Sequence, residues 1–225
     1  MELIKAVSLV KQYGQGDVAV TALDNVSLSV EKGTFVAITG ESGSGKSTLL
    51  NILGGMDRPT SGEVCLDGKQ LPESDRELAA LRGKDIGMVF QNYHLLPMLT
   101  AEENIEVPVR FAGKTLKAEE VKVLFEQLGL VGREHHLPSE LSGGQQQRVA
   151  IGRALINHPK ALLADEPTGN LDKKTGEEIV TLLLRLKESY GMTLVMVTHN
   201  EKIAALSDRI IHMEDGKIVS DEVRV

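Results

Sequence analysis

An α/β fold, a mostly parallel sheet covered by helices and carrying a helical insertion, follows from three features of this 225-residue chain. The almost wholly apolar run Thr34-Phe35-Val36-Ala37-Ile38-Thr39 reads as a strand buried on both faces, and it feeds directly into a glycine-rich loop. After Leu141, helical and strand patterns alternate, as they do where helices cover parallel strands. Between about Leu71 and Leu141 the pattern is instead mostly helical.

Taken in order, Leu3 to Val10 and Val26 to Val30 carry alternating or β-branched apolar residues and read as extended, with Gly14, Gly16 and Asp17 making a loop between them. Lys46 to Leu53 turns helical and stops at Gly54-Gly55, where glycine closes a helix. Ser74 with Glu77, and Thr100 with Glu103, predict two capping boxes. The strand-like Ile86-Gly87-Met88-Val89-Phe90 interrupts that helical stretch.

Beyond Leu141 the chain predicts a helix to Ile156, a strand from Ala161 to Ala164 and a helix from Gly176 to Tyr190. A strand from Thr193 to Val197, a helix from Glu201 to Leu206 and a strand from Arg209 to Met213 follow. No repeat or flexible linker divides the chain, so residues 1–225 are expected to form one domain. Its core would be built from 1–90 and 157–225, with about 91–156 as a helical subdomain.

Composition narrows the function classes. The chain is 41% hydrophobic, enough for an extended core, and its single cysteine, Cys65, rules out an internal disulfide and favours a reducing compartment. The N-terminus has no signal-peptide pattern, and no window reaches the ~18 apolar residues that span a bilayer, so a soluble, unsecreted chain is expected. A net charge of −7, from 32 acidic against 25 basic residues, lacks the basic footprint of a nucleic-acid grip.

The chemistry begins at Gly40-Glu41-Ser42-Gly43-Ser44-Gly45-Lys46-Ser47, which matches G-x-x-x-x-G-K-[ST] between a buried strand and a helix, the context that phosphate loop requires. Glycines let successive amides turn inward around phosphate oxygens, and the helix N-terminus adds its positive end. Lys46 can reach the outer phosphates and Ser47 can ligate Mg²⁺. Leu162-Leu163-Ala164-Asp165-Glu166 supplies an acidic pair at the carboxyl end of another buried strand: Asp165 for the metal, Glu166 to polarise an attacking water.

A second phosphate-binding surface starts at Leu141-Ser142-Gly143-Gly144-Gln145, a serine and bare glycine amides opening the helix that runs on through Gln147 and Ile151. One chain cannot easily bring both surfaces to one phosphate chain. Two copies packed head to tail can, with ATP between the loop of one and the Ser142 helix of the other.

Gly40 to Ser47, Gln91, Leu141 to Gln145, Asp165-Glu166, Leu171-Asp172 and His199, in that order and roughly at those intervals, resemble the nucleotide-binding subunit of an ABC transporter over essentially the whole chain. The Leu-Ser-Gly-Gly-Gln run is that family's own signature. The resemblance implies a P-loop NTPase (RecA-like) core with a mostly parallel sheet, an N-terminal antiparallel β-subdomain and the helical insertion. It also implies an ATPase with ATP and Mg²⁺ as cofactors.

By the same resemblance Tyr13 would stack on adenine, and Gly40 through Thr48 would contact the nucleotide. Gln91 would touch Mg²⁺ and the catalytic water, His199 the γ-phosphate, and Ser142, Gly143, Gly144, Gln145 and Asp172 would act in trans. Glu166, His199, Gln91 and Lys46 form the expected catalytic set, and Ser47, Gln91 and Asp165 the metal set. His94, His135, His136, His158 and His212 lack metal-ligand spacing and read as structural or solvated.

The segments Leu95 to Ile105 and Asp165 to Asp172 look like the branch of macrolide and antimicrobial-peptide exporters, lipoprotein-release ATPases and the cell-division ATPase that partners a permease-like protein. A homodimer on the cytoplasmic face of the membrane, attached to a permease through the helical insertion near Gln91 to Phe111, is the expectation. No C-terminal regulatory domain and no membrane domain are expected. A nucleotide-gated regulatory or nucleic-acid-associated ATPase is the alternative. Gly152 stands where that family commonly has alanine, which weakens the helix by up to about 1 kcal/mol.

Overall fold

The computed structural model describes residues 1–14, 16–115 and 117–224. Two sheets meet over one helix. The first is antiparallel, built from β1 (Glu2–Tyr13), β2 (Val20–Glu31), β4 (Ser61–Leu66) and β5 (Lys69–Gln70) in the order β2-β1-β4-β5. The second has six strands in the order β10-β9-β3-β8-β7-β6: β3 (Phe35–Thr39), β6 (Ile86–Phe90), β7 (Ala161–Asp165), β8 (Thr193–Val197), β9 (Arg209–Glu214) and β10 (Lys217–Val223). All its pairings are parallel except β9 with β10. This is the predicted fold class, antiparallel subdomain included.

Helix α1 (Lys46–Leu53) follows β3 and packs between the sheets. Leu49, Leu50, Ile52 and Leu53 are each at most 1% exposed, and each such burial is worth about 1.5–3 kcal/mol. With Ile4, Leu9, Val30, Ile38 and Met213 they form one of the two cores. The phosphate loop thus rests on a helix fixed from both sides.

The second core lies on the other face of the parallel sheet. It joins α3 (Ala101–Phe111), α4 (Ala118–Leu128), α5 (Gly143–Leu155) and α6 (Lys173–Tyr190) through Ile105, Phe125, Leu128, Val149, Ile179 and Leu183. Two shorter helices, α2 (Asp75–Arg82) and α7 (Glu201–Ala204), complete the α-helices among the described residues.

Several expectations are corrected. β1 and β2 extend to Tyr13 and back to Val20, because they pair with each other through register shifts that carry the ladder past the apolar stretch. α6 starts at Lys173, since Asp172 caps it by accepting from the Thr175 N–H, and α7 stops at Ala204. β10 was not foreseen: its residues are exposed or half-buried, so no apolar run marks it.

The Thr100–Glu103 box forms completely, whereas Ser74–Glu77 forms only half. The Ser74 Oγ accepts from the Glu77 N–H, but the Glu77 carboxylate accepts from the Ser74 hydroxyl and not from its backbone. Gly152 also has a packing reason. A Cβ there would stand 2.6 Å from Leu128 Cδ1 and 2.8 Å from Ile105 Cδ1, so glycine lets α3 and α4 close on α5.

Candidate functional site: a phosphate loop facing three strand ends

The loop from Gly40 to Ser47 joins β3 to α1, and its shape depends on glycine at both ends. Gly40 has φ 139° and a Cβ there would lie 2.1 Å from the Met213 carbonyl oxygen; Gly45 has φ 97° and would meet the Ala22 carbonyl oxygen at 2.4 Å. No other residue fits either position without moving backbone. Gly43, at φ 84°, faces open space, and Glu41, Ser42 and Gly43 form the exposed limb of the loop.

Behind the loop the two sheets touch. The Gly216 N–H donates to the Ser44 carbonyl at 3.1 Å, and the Asp24 N–H donates to the Gly216 carbonyl at 2.9 Å. The turn between β9 and β10 therefore supports the loop from the rear.

Lys46 is 6% exposed and folds inside the loop, its ammonium donating to the Glu41 carbonyl and, at 3.2 Å, to Ser44 Oγ. Burial lowers its pKa below the ordinary lysine value, opposed by the negative fields of Glu166 and Asp165. α1 has no acidic residue in its first turn, so the helix N-terminus keeps its full positive potential beside the lysine.

Three strand ends converge opposite this loop. Asp165 ends β7, where its carboxylate accepts from Ser47 Oγ at 3.0 Å. Burial raises its pKa, the Ser47 hydrogen bond opposes the rise, and Glu166 adds to it. A hydroxyl and a carboxylate side by side are hard oxygen donors of the kind Mg²⁺ takes together with substrate phosphates. Glu166 turns away from the strand with φ 44°, a left-handed backbone that costs a non-glycine residue about 1–3 kcal/mol. His199, just beyond β8, places Nδ1 3.2 Å from Glu166 Oε2.

Gln91 follows β6, whose last residue Phe90 pairs with Asp165. Its amide donates to Asn170 Oδ1 at 3.0 Å and covers Gly169, where a Cβ would stand 2.6 Å from Gln91 Nε2. Asn170 returns a bond to the Gln91 carbonyl at 3.1 Å. The amide is thus held at the rim of the cluster, by a residue whose partnership across 79 positions no local pattern announces.

Tyr13 lies at the end of β1, half-exposed, with its hydroxyl donating to Asp57 Oδ2 at 2.7 Å and within hydrogen-bonding reach of Thr48. Burial first and Asp57 second raise its pKa. Lys11 stands 4.8 Å over the ring centroid and also binds Asp57, at 2.7 Å. Neither Lys11 nor Asp57 carried a motif, so sequence reasoning missed both.

Ser142 to Gln145 stand apart from this cluster. Ser142 caps α5: its Oγ accepts from the Gln145 N–H at 3.3 Å, while Gln145 Oε1 accepts from the Ser142 N–H at 2.9 Å. Cβ atoms built on Gly143 and Gly144 would lie 2.9 Å from the Tyr93 hydroxyl and 2.5 Å from Thr175 Cγ2. The serine and the two glycine amides thus sit beside the turn where Asp172 caps α6. Among the described residues no hydrogen bond joins them to the phosphate loop. The Asp172 carboxyl pKa is lowered, chiefly by the Thr175 hydroxyl.

A phosphate loop fed by a buried parallel strand, with an acidic pair at a neighbouring strand end, defines a P-loop nucleoside triphosphatase. Residues 23–169 match the sequence profile of the family described as ABC transporter. The chain is 48% identical to the lipoprotein-releasing system ATP-binding protein LolD of Geobacter metallireducens, over 97% of this chain and 99% of that one. It is 49% identical to the macrolide export ATP-binding/permease protein MacB of Hyphomonas neptunium, over 97% of this chain but 34% of that protein, so it spans about a third of that relative's length.

Among solved structures, the dimeric post-hydrolysis state of the ATP-binding cassette MJ0796, bound to ADP and Pi, superimposes with a TM-score of 0.90 at 44% identity, covering 98% of both chains. The chain belongs to the ABC transporter family and is one of its ATP-binding ATPase cassettes.

Proposed function

We propose that two copies of this chain close head to tail around two Mg-ATP and hydrolyse them to drive a membrane permease. The observation that carries the reading is the pairing of two adjacent carboxylates with separate partners: Asp165 with Ser47 at 3.0 Å and Glu166 with His199 at 3.2 Å, across from Lys46. One carboxylate serves the metal and the other the water.

In this mechanism the amides of Gly40 to Ser47 cradle the phosphates and Lys46 moves from its loop partners to the outer phosphate oxygens. Ser47, Asp165 and Gln91 would hold Mg²⁺, which when bound neutralises phosphate charge. Glu166 accepts the proton of the attacking water, and His199 donates to the charge that develops on the γ-phosphate. Tyr13 offers its free ring face to adenine. Ser142 through Gln145 of the second copy supply a serine and bare amides at a helix N-terminus that has no acidic residue in its first turn. Asp172 would link the two sites across the dimer.

The segment from Gln91 to Phe111 is the proposed permease contact. It exposes Met98 at 87% and Phe111 at 89%, large apolar side chains that a partner would cover. Among the described residues no helix is long and apolar enough to cross a membrane, so the transmembrane part would belong to another chain or segment. The relatives' names, macrolide export and lipoprotein release, support a reading in which the work is extrusion, by mechanical transmission to the permease. The cassette would then sit on the cytoplasmic face of the membrane.

A mixing experiment tests the composite site. Lys46→Ala and Ser142→Arg should each abolish ATP hydrolysis alone. Mixed, they form a heterodimer with one intact loop facing one intact Ser142 helix, and hydrolysis returns. Failure of the mixture to regain any activity would refute the head-to-tail site.

A further inference from the structure

Gln147 lies on α5 one turn beyond the Ser142 cap, on the same face as Gly144. It is a polar side chain at 0% exposure on a helix whose other buried side chains, Val149, Ala150, Ile151 and Leu155, are apolar. Its Nε2 donates to the Pro167 carbonyl at 2.8 Å, and its Oε1 has no hydrogen-bonding partner among the described residues. A leucine or methionine would fill the same space and trade one unsatisfied acceptor, Gln147 Oε1, for another, the Pro167 carbonyl, so the gain specific to glutamine is the tie to Pro167 rather than a net gain in satisfied polar groups.

What the amide does hold is the turn that carries Glu166. That turn is unfavourable twice over: Glu166 has φ 44°, and it precedes a proline, which itself disfavours helical conformations in the residue before it. Such a backbone persists only where its surroundings over-determine it. Two ties come from backbone: the Glu166 N–H to the Val197 carbonyl at 3.1 Å, and the Gly169 N–H to the Glu166 carbonyl at 3.0 Å. Gln147 supplies the third, across 20 positions, from the helix whose first turn is the proposed phosphate-binding end.

We propose that Gln147 is the positioning residue through which helix α5 sets the orientation of Glu166. The proposal rests on Glu166 being the base, and it adds a direction to the dimer. The Ser142 end of α5 faces nucleotide held by the second copy, while Gln147, one turn along the same rigid helix, holds the base that works on nucleotide in its own loop. A shift of α5 when the far nucleotide binds or leaves would be felt at the near Glu166 through one hydrogen bond.

The test compares Gln147→Met with wild type, with Gln147→Leu as a second variant of different shape. Both remove the orphaned Oε1 but leave the Pro167 carbonyl without its donor, effects of opposite sign on stability, so thermal stability should shift little, and ATP affinity, measured by calorimetry with ATP itself, should be unchanged. The value of kcat should fall roughly tenfold or more, the scale on which a slight misplacement of a reacting group acts. In a Glu166→Gln background, Gln147→Met should cost nothing further, because the group it positions is already gone. Unchanged kcat, or a loss that persists undiminished in that background, overturns the proposal. If Glu166→Gln alone turns over like wild type, the assignment of Glu166 fails, and the proposal fails with it for that separate reason.

Discussion

His199 Nδ1 and Glu166 Oε2 stand 3.2 Å apart, bridging the ends of β8 and β7 on the side of the sheet that faces the phosphate loop. The contact leaves the imidazole 69% exposed, free to turn toward a phosphate while one nitrogen stays with the carboxylate. Replacing that carboxylate by an amide keeps the shape and removes the base. Glu166→Gln should therefore bind ATP, lose about 10²–10⁴ in hydrolysis rate and accumulate as a nucleotide-bound dimer. Phosphate release and sedimentation with ATP measure both effects, and normal turnover would sink the assignment.

Lys46→Ala removes the one charge buried inside the loop. Wild-type protein with ATP at 100 times its Kd should gain about 2.7 kcal/mol of stability from binding. The variant should show no ATP-dependent rise in Tm, while its Tm without nucleotide stays near that of the wild type. An undiminished rise would mean that the cradle does not depend on Lys46.

The antiparallel subdomain is tied to the core by an acid-sensitive clamp. Asp67, in the turn after β4, binds Lys32 at 2.6 Å and Lys160 at 2.9 Å, and these two ammonium groups lower its pKa from 3.8 to about 2. A depressed carboxyl pKa adds stability above the unfolded value, and that stability is lost as pH falls through the folded one. Asp67→Asn should therefore lower Tm at neutral pH and flatten its decline between pH 3.8 and about 2. A decline as steep as that of the wild type would show that the clamp does not act.

Gly152→Ala gains helix propensity but drives a methyl group into Leu128 and Ile105. Overpacking of about 1–3 kcal/mol should outweigh a propensity gain of at most about 1 kcal/mol, leaving a net loss. Adding Ile105→Val should recover part of it. Urea unfolding of the single and double variants decides the sign, and a stabilised single variant would contradict the packing account.

Where a residue's role is set by its neighbours in sequence, it was legible. The strand from Thr193 to Val197 and the helix from Lys46 to Leu53 appear at the predicted bounds, because an uninterrupted apolar run and a glycine-closed helix are local signals. The loop with Lys46, and Asp165-Glu166 at a strand end, were readable for the same reason. β10 was not, since a half-solvated edge strand carries no apolar run. Asp57 beneath Tyr13, Asn170 on Gln91 and Gln147 on Pro167 were illegible because each partner lies 20 to 79 positions away and is chosen by the fold.

The turn at Asp215-Gly216 looks like the tip of a surface hairpin, the kind of place where added residues, tags or a break in the chain are usually accepted. Gly216 is nonetheless buried, donating to Ser44 on one side and accepting from Asp24 on the other. That tip is a wedge, and the phosphate loop leans on it. Lengthening it by even a few residues should unseat nucleotide while both sheets stay folded, so a protein engineer seeking a permissive splice site should pass it by.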